Sequence, residues 1–196
     1  MKKNYPIVNT HNEWDPLEEI IVGTVEGATI PPWEPVTPAV VHHEYLLDFY
    51  RQNGGKPWAQ EMLDAAQKDI DEFVHILEAE GITVRRPSIY DISKPFSTPD
   101  FESQSSVGAL MPRDVLLVIG DQIIEAPMGW RSRYHENYAY KDLCKEYSQQ
   151  GARWMSAPRP QLSDASFEAN FIPPTEDEPM RTILTEYEPL FDAADA

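Results

Sequence analysis

A single cysteine, Cys144, excludes an internal disulfide, and without a CxxC pair or a Cys/His cluster there is no structural zinc site to propose. Basic residues are scarce. Against 33 Asp and Glu stand 16 Lys and Arg, a formal net charge of −17. Such a chain repels nucleic acid and anionic membranes at long range, so neither is expected as a partner, and a small cation suits it better. No apolar stretch approaches the roughly 20 residues of a membrane span. Behind Met1 to Pro6 no apolar run marks a secretory signal, and a cytoplasmic protein is expected. GxSxG, P-loop and GxGxxG patterns are missing, which removes the commonest hydrolase, nucleotide and dinucleotide signals.

What is present is an ordinary globular mixture, 41 % apolar and 25 % charged. Glu18 to Gly23 is a short β-branched run closed by glycine, which reads as a buried strand. Pro31, Pro32, Pro35 and Pro38 break any helix or central strand after it, so residues 24 to 40 read as an ordered loop. From Trp58 to Glu80, apolar residues at 63, 66, 70, 73, 74 and 77 predict an amphipathic helix capped by Gly81 and followed by a strand, Ile82 to Val84. The second half repeats this grammar. Val115 to Ile119 and Ile123 to Ala126 predict a hairpin around Gly120 and Asp121. Tyr140, Leu143, Cys144 and Tyr147 then share a helical face, Gly151 ends the helix, and Ala152 to Met155 resumes an extended pattern. The chain therefore reads as α/β, with two strand, helix, strand modules of roughly 70 residues. A last strand is expected over Thr182 to Glu186. Modules of this kind cannot cover their own apolar faces, so exposed apolar surface and self-association, as in a homo-oligomer, are expected.

Among residues with chemical potential, Cys144 lies on the apolar helical stripe, where a buried thiol behaves as a small hydrophobe rather than a nucleophile. His11, His42, His43, His75 and His135 show no ligand spacing and read as surface or loop residues. Asp114 and Asp192 each flank an apolar run. Taken alone each reads as a turn residue, yet a carboxylate held there could pair with a planar guanidinium through matched hydrogen bonds.

Several segments decide between these readings. Asn12 to Glu19 (NEWDPLEE), Val84 to Pro87 (VRRP), Thr98 to Ser103 (TPDFES), Met111 to Asp114 (MPRD), Ile123 to Met128 (IIEAPM), Trp130 to Arg133 (WRSR) and Phe191 to Asp195 (FDAAD) resemble, in order, the glycine amidinotransferase family. That family includes arginine:glycine amidinotransferase, the inosamine-phosphate amidinotransferases and enzymes of cyanobacterial toxin pathways. The resemblance implies a pentein-type α/β propeller, of whose pseudo-fivefold ring this chain would supply about two modules. It implies transfer of the amidino group of L-arginine to an acceptor amine through an amidino-cysteine intermediate, with no metal or organic cofactor. By matched motif, Asp192 corresponds to the catalytic aspartate that orients a histidine base, and Asp114 to the carboxylate that binds the arginine guanidinium. The two should face one hollow. The histidine and the nucleophilic cysteine lie downstream of the FDAAD run in the family, so residues 1–196 are expected to be the N-terminal part of one amidinotransferase domain, truncated before them and inactive alone. A short, non-catalytic pentein that binds a guanidino compound or a partner, or a guanidine hydrolase, are the competing readings.

Overall fold

The computed structural model describes residues 6–41, 43–175, 178–179 and 181–195. In chain order the elements are β1 (Glu19–Ile21), α1 (Thr37–Val40), α2 (Glu44–Asn53), α3 (Gln60–Ala79), β2 (Thr83–Arg85), β3 (Phe96–Ser97), β4 (Glu102–Ser103), α4 (Pro112–Val115), β5 (Leu116–Ile119), β6 (Gln122–Glu125), α5 (Lys141–Gln149) and β7 (Arg153–Ser156).

The expected repeat is visible in the pairing. β1 and β2 run parallel, Ile20 opposite Val84, across the crossover that contains α3. β6 and β7 run parallel, Ile123 opposite Trp154, across α5, and β5 adds an antiparallel hairpin partner to β6. Parallel neighbours need a long return connection, and in each module a helix supplies it. Both helices end where glycine turns left-handed, at Gly81 (φ 83°) and Gly151 (φ 102°), a conformation that costs glycine nothing. Bridges Thr10 to Gly120 and Thr24 to Ala109 tie the first module's flanks to the second. The described residues form one three-stranded and two two-stranded sheets, with no closed barrel.

The core sits under the second module. Tyr140, Leu143, Cys144 and Tyr147 of the predicted stripe pack with Val115, Leu116, Ile123 and Met128. Each large apolar side chain so buried contributes about 1.5–3 kcal/mol. A second cluster joins Val36, Ala39, Phe101, Leu162, Phe167 and Ile183, drawing the proline-rich loop onto the segment beyond β7.

Four expectations need correction. β1 is half-buried rather than buried, because its sheet has only two strands. The stripe of α3 is mostly half-covered: of its residues Leu77 is buried, Leu63, Ala66, Ile70 and Val74 are half-buried, and Phe73 stays 48 % exposed. Thr182 to Glu186 forms no strand. Leu184 makes a single bridge to Phe167, and the neighbouring backbone bonds to Ser166 and Glu168 complete that contact. The single turn α1, with Pro38 in its first turn, falls inside the segment 24 to 40 that reads in sequence as loop, and helix α2 follows that segment. No helix among the described residues is long and apolar enough to cross a membrane.

Candidate functional site

Asp114 lies on α4, the one-turn helix opened by Pro112, which packs against the Ala193–Asp195 turn that follows Asp192. That packing brings the two predicted carboxylates together across 78 positions of sequence. Between them is a planar cation, and it belongs to the chain itself: Arg133. Its Nη2 donates to Asp114 Oδ2 at 2.9 Å, its Nε to Glu136 Oε2 at 2.8 Å, and its Nη1 stands 3.6 Å from Asp192 Oδ2. The first two distances are hydrogen bonds and the third is an ion-pair contact. Asp192 also accepts the Ala194 backbone N–H at 2.9 Å. Side-chain exposure is 10 % for Arg133, 15 % for Asp114, 6 % for Glu136 and 27 % for Asp192.

Three carboxylates thus share one guanidinium. Burial raises the Glu136 carboxyl to about 7, against the opposing pull of Arg133, with Asp114 and Asp192 adding repulsion. Burial alone would lower the Arg133 pKa, but Glu136 and Asp114 outweigh it, and Arg133 is held above its ordinary value.

Two further buried carboxylates fix the surroundings. Glu34, in the proline-rich loop, accepts the backbone N–H groups of Arg131 and Ser132 and the Ser132 hydroxyl, so it anchors the turn that launches Arg133. Burial pushes its carboxyl up, while those donors pull the other way. Glu125, at the end of β6, receives Asn137 Nδ2 (2.6 Å), Trp154 Nε1 (2.8 Å), the Ser156 hydroxyl (2.6 Å) and the Lys141 ammonium. Burial would raise its pKa, but Lys141 and Ser156 more than reverse that and hold it low.

The motif segments meet in space. Arg113, next to Asp114, pairs with Glu13 of NEWDPLEE at 2.7 Å, and Asn12 caps the same segment by accepting the Trp14 and Asp15 N–H groups. Arg131 of WRSR reaches Leu162 O and Asp164, and lies over the Phe101 ring. An open cleft of about 550 Å³ lies beside this turn between Trp33, Phe96, Glu102 and Arg131, and neither Asp114 nor Asp192 lines it.

Cys144 is 1 % exposed and burial pushes its thiol up to about 12, as its position on the apolar stripe predicts. His11, His43 and His75 are exposed, and His42 lies outside the described residues. His135 corrects the surface reading: it is half-buried among Phe96, Tyr134 and Tyr138, with a buried Nδ1 that has no hydrogen-bond partner. Burial, then Arg159, lowers its pKa. No cluster of His, Cys, Asp or Glu suited to a metal occurs among the described residues.

Sequence reasoning named the two aspartates and missed their shared partner. Arg133 and Glu136, an i, i+3 pair beginning in the WRSR motif, signal a local ion pair but not its two distant aspartates. Glu34, an acid between prolines, carried no comparable sign.

No family model matches the chain. An L-arginine:L-lysine amidinotransferase from Pseudomonas savastanoi pv. phaseolicola is 47 % identical over 100 % of this chain and 55 % of its own length. A mitochondrial glycine amidinotransferase from Danio rerio is 45 % identical over 96 % of this chain and 46 % of its own. Among solved structures, the amidinotransferase SxtG of a saxitoxin biosynthetic pathway, from Microseira wollei, superimposes with a TM-score of 0.89 at 50 % identity, covering 96 % of this chain and 53 % of that one. An inosamine-phosphate amidinotransferase from Streptomyces griseus gives 0.83 at 40 % identity, over 97 % and 52 %. The chain spans about half the length of the curated relatives it matches.

Proposed function

The chain belongs to the amidinotransferases of the glycine amidinotransferase family, and on that premise we propose that it carries the guanidinium-binding portion of an enzyme that moves the amidino group of L-arginine to an acceptor amine. The single observation that carries this reading is the convergence of Asp114 and Asp192, from two motifs far apart in sequence, on one planar guanidinium. A pair of carboxylates that receives Arg133 in this way has the charge and spacing to receive a substrate guanidinium beside it.

In the proposed reaction a cysteine thiolate forms a bond to the guanidinium carbon. The bond from that carbon to the ornithine nitrogen breaks, and ornithine leaves with a proton delivered by a histidine. An acceptor amine then attacks the amidino-cysteine carbon, gives up a proton, and the carbon–sulfur bond breaks. Asp114 binds the guanidinium, and Asp192 orients the histidine. Cys144 is no candidate for the nucleophile, since it is enclosed in the core with a raised pKa. Nucleophile and base therefore come, in this proposal, from outside residues 1–196. The two strand, helix, strand modules are then two of the five in a pentein-type propeller, in the cytoplasm, with no metal or organic cofactor in the chemistry. Self-association through the exposed face of α3 belongs to the same proposal.

The test has two arms. L-Arginine should bind the chain, and Asp114→Asn should weaken that binding at least tenfold. Residues 1–196 alone should release no ornithine from arginine, because the covalent route needs a nucleophile and a base. Ornithine release by this chain, or indifference of arginine binding to Asp114→Asn, overturns the reading. The enclosed thiol also favours a second reading, a guanidino-compound binder without catalysis. Joining the chain to the missing length of a relative distinguishes them: transfer to an amine restores the enzyme, and binding without transfer supports the binder.

A further inference from the structure

Arg133 is the element of this site that the reaction above does not use. Its guanidinium is 10 % exposed and presents separate N–H edges to three carboxylates: Nε and Nη2 to Glu136, Nη2 to Asp114, Nη1 to Asp192. It is itself held from two sides. Glu136, 6 % exposed, seats it, and Glu34 binds the turn at Arg131 and Ser132 from which it projects. Without a cation there, three carboxylates in a water-poor space would repel one another and move apart. From each aspartate Arg133 takes one oxygen, Oδ2. A guanidinium can do this because it is flat and carries five donors in fixed directions; an ammonium is a point charge and cannot hold three acceptors at set angles.

We propose that Arg133 is a positioning residue: its guanidinium holds the carboxylates of Asp114 and Asp192 at a fixed separation, aimed at the space that receives the substrate guanidinium, and it acts through them without touching the substrate. This rests on the roles proposed above for the two aspartates. The residue that looks like a trapped substrate is then part of the template that receives one. Its loss weakens arginine binding rather than freeing a site for it.

The experiment follows the side-chain carboxyl carbons of Asp114 and Asp192 by nuclear magnetic resonance in the full chain, across pH and during titration with L-arginine. Wild type, Arg133→Lys and Arg133→Gln are compared. Both variants should shift the titration midpoints of the two aspartates and weaken L-arginine at least tenfold, with Lys failing although it keeps the charge. Where Arg133→Gln does not fold, the double variant Arg133→Gln with Glu136→Gln removes the buried pair together, which proteins tolerate better than loss of one partner. It should fold and show the same loss. Wild-type midpoints and affinity in a folded Arg133→Lys or in the double variant, with only the melting temperature lowered, overturn the inference alone. No response of the wild-type carboxyls to L-arginine overturns the roles of the aspartates first, and this inference with them.

Discussion

Glu136 Oε2 lies 2.8 Å from both Nε and Nη2 of Arg133, so the most deeply buried of the three carboxylates around Arg133 rests against its guanidinium. The contact is close, yet burial dominates and raises the Glu136 pKa from 4.5 to about 7. A group that binds its proton more tightly when folded stabilises the fold at low pH, and that contribution is lost as pH rises from its unfolded pKa through its folded one.

Stability should accordingly carry a component that falls between about pH 4.5 and pH 7, worth about 1–3 kcal/mol. Glu136→Gln, which cannot ionise, should lack it. Urea unfolding of both proteins at pH 5 and pH 8 checks this through the difference between them. Parallel curves, with a constant gap at the two pH values, would show that Glu136 is not neutral in the acidic range.

Glu125 behaves in the opposite sense. It is 2 % exposed, and Asn137, Lys141, Trp154 and Ser156 all donate to it, which holds its pKa low. Its contribution is present above its unfolded pKa and lost as pH falls through the folded value. Glu125→Leu leaves the half-buried Lys141 ammonium and three neutral donors without their shared acceptor, and should cost about 1–3 kcal/mol. Chemical denaturation at pH 7 measures it. A loss under 1 kcal/mol would mean that water replaces the carboxylate.

The parts of the fold that were legible in sequence are those where a local signal and the tertiary environment agree. Gly81 and Gly151 mark helix ends because φ near +90° suits glycine alone, and within Val115 to Ile119 the strand Leu116 to Ile119 forms because Leu116 and Val118 meet the core. Thr182 to Glu186 carries the same β-branched signal, but no strand lies alongside it beyond the bridge at Phe167. Helix α2, Glu44 to Asn53, was not named although Leu46, Leu47 and Tyr50 recur at helical spacing, because the run is short and sits between the proline-rich passage and Gly54. At the site, aspartates 114 and 192 were found through motif resemblance. Arg133 was not, since nothing in a linear pattern says that a cation three residues from Glu136 will face acids 19 positions before it and 59 after it.

Close approach explains one glycine that no turn requires. Gly23 ends the β1 segment with the chain pressed against Ala109 and Leu110, and a Cβ there would sit 2.0 Å from the Leu110 carbonyl oxygen and 2.5 Å from that of Ala109. Both are backbone atoms, and the adjacent Thr24 N–H is bonded to Ala109 O at 2.9 Å, so neither strand can yield alone. Gly23→Ala should therefore destabilise by about 3 kcal/mol or more, at or above the upper end of overpacking costs. Gly81→Ala is the control. Its Cβ would meet nothing within 4 Å, so only the left-handed backbone is penalised, at about 1 kcal/mol. Thermal unfolding that ranks the two the other way round would contradict the close contact.

The last expectation concerns the thiol. Burial, then the charge of Glu125, raises Cys144 from 9.0 to about 12, and its side chain lies in the core cluster with Leu143 and Tyr147 of its own helix, Tyr140 just before that helix and Ile123 from β6. At pH 8 the thiolate fraction in the folded chain is then on the order of one in ten thousand, against about one in ten unfolded. Iodoacetamide should label native Cys144 at least a hundredfold more slowly than the urea-unfolded chain, and Cys144→Ala should leave arginine binding unchanged. Fast labelling of the native protein, or arginine binding that depends on this thiol, would bring the core cysteine back as a nucleophile.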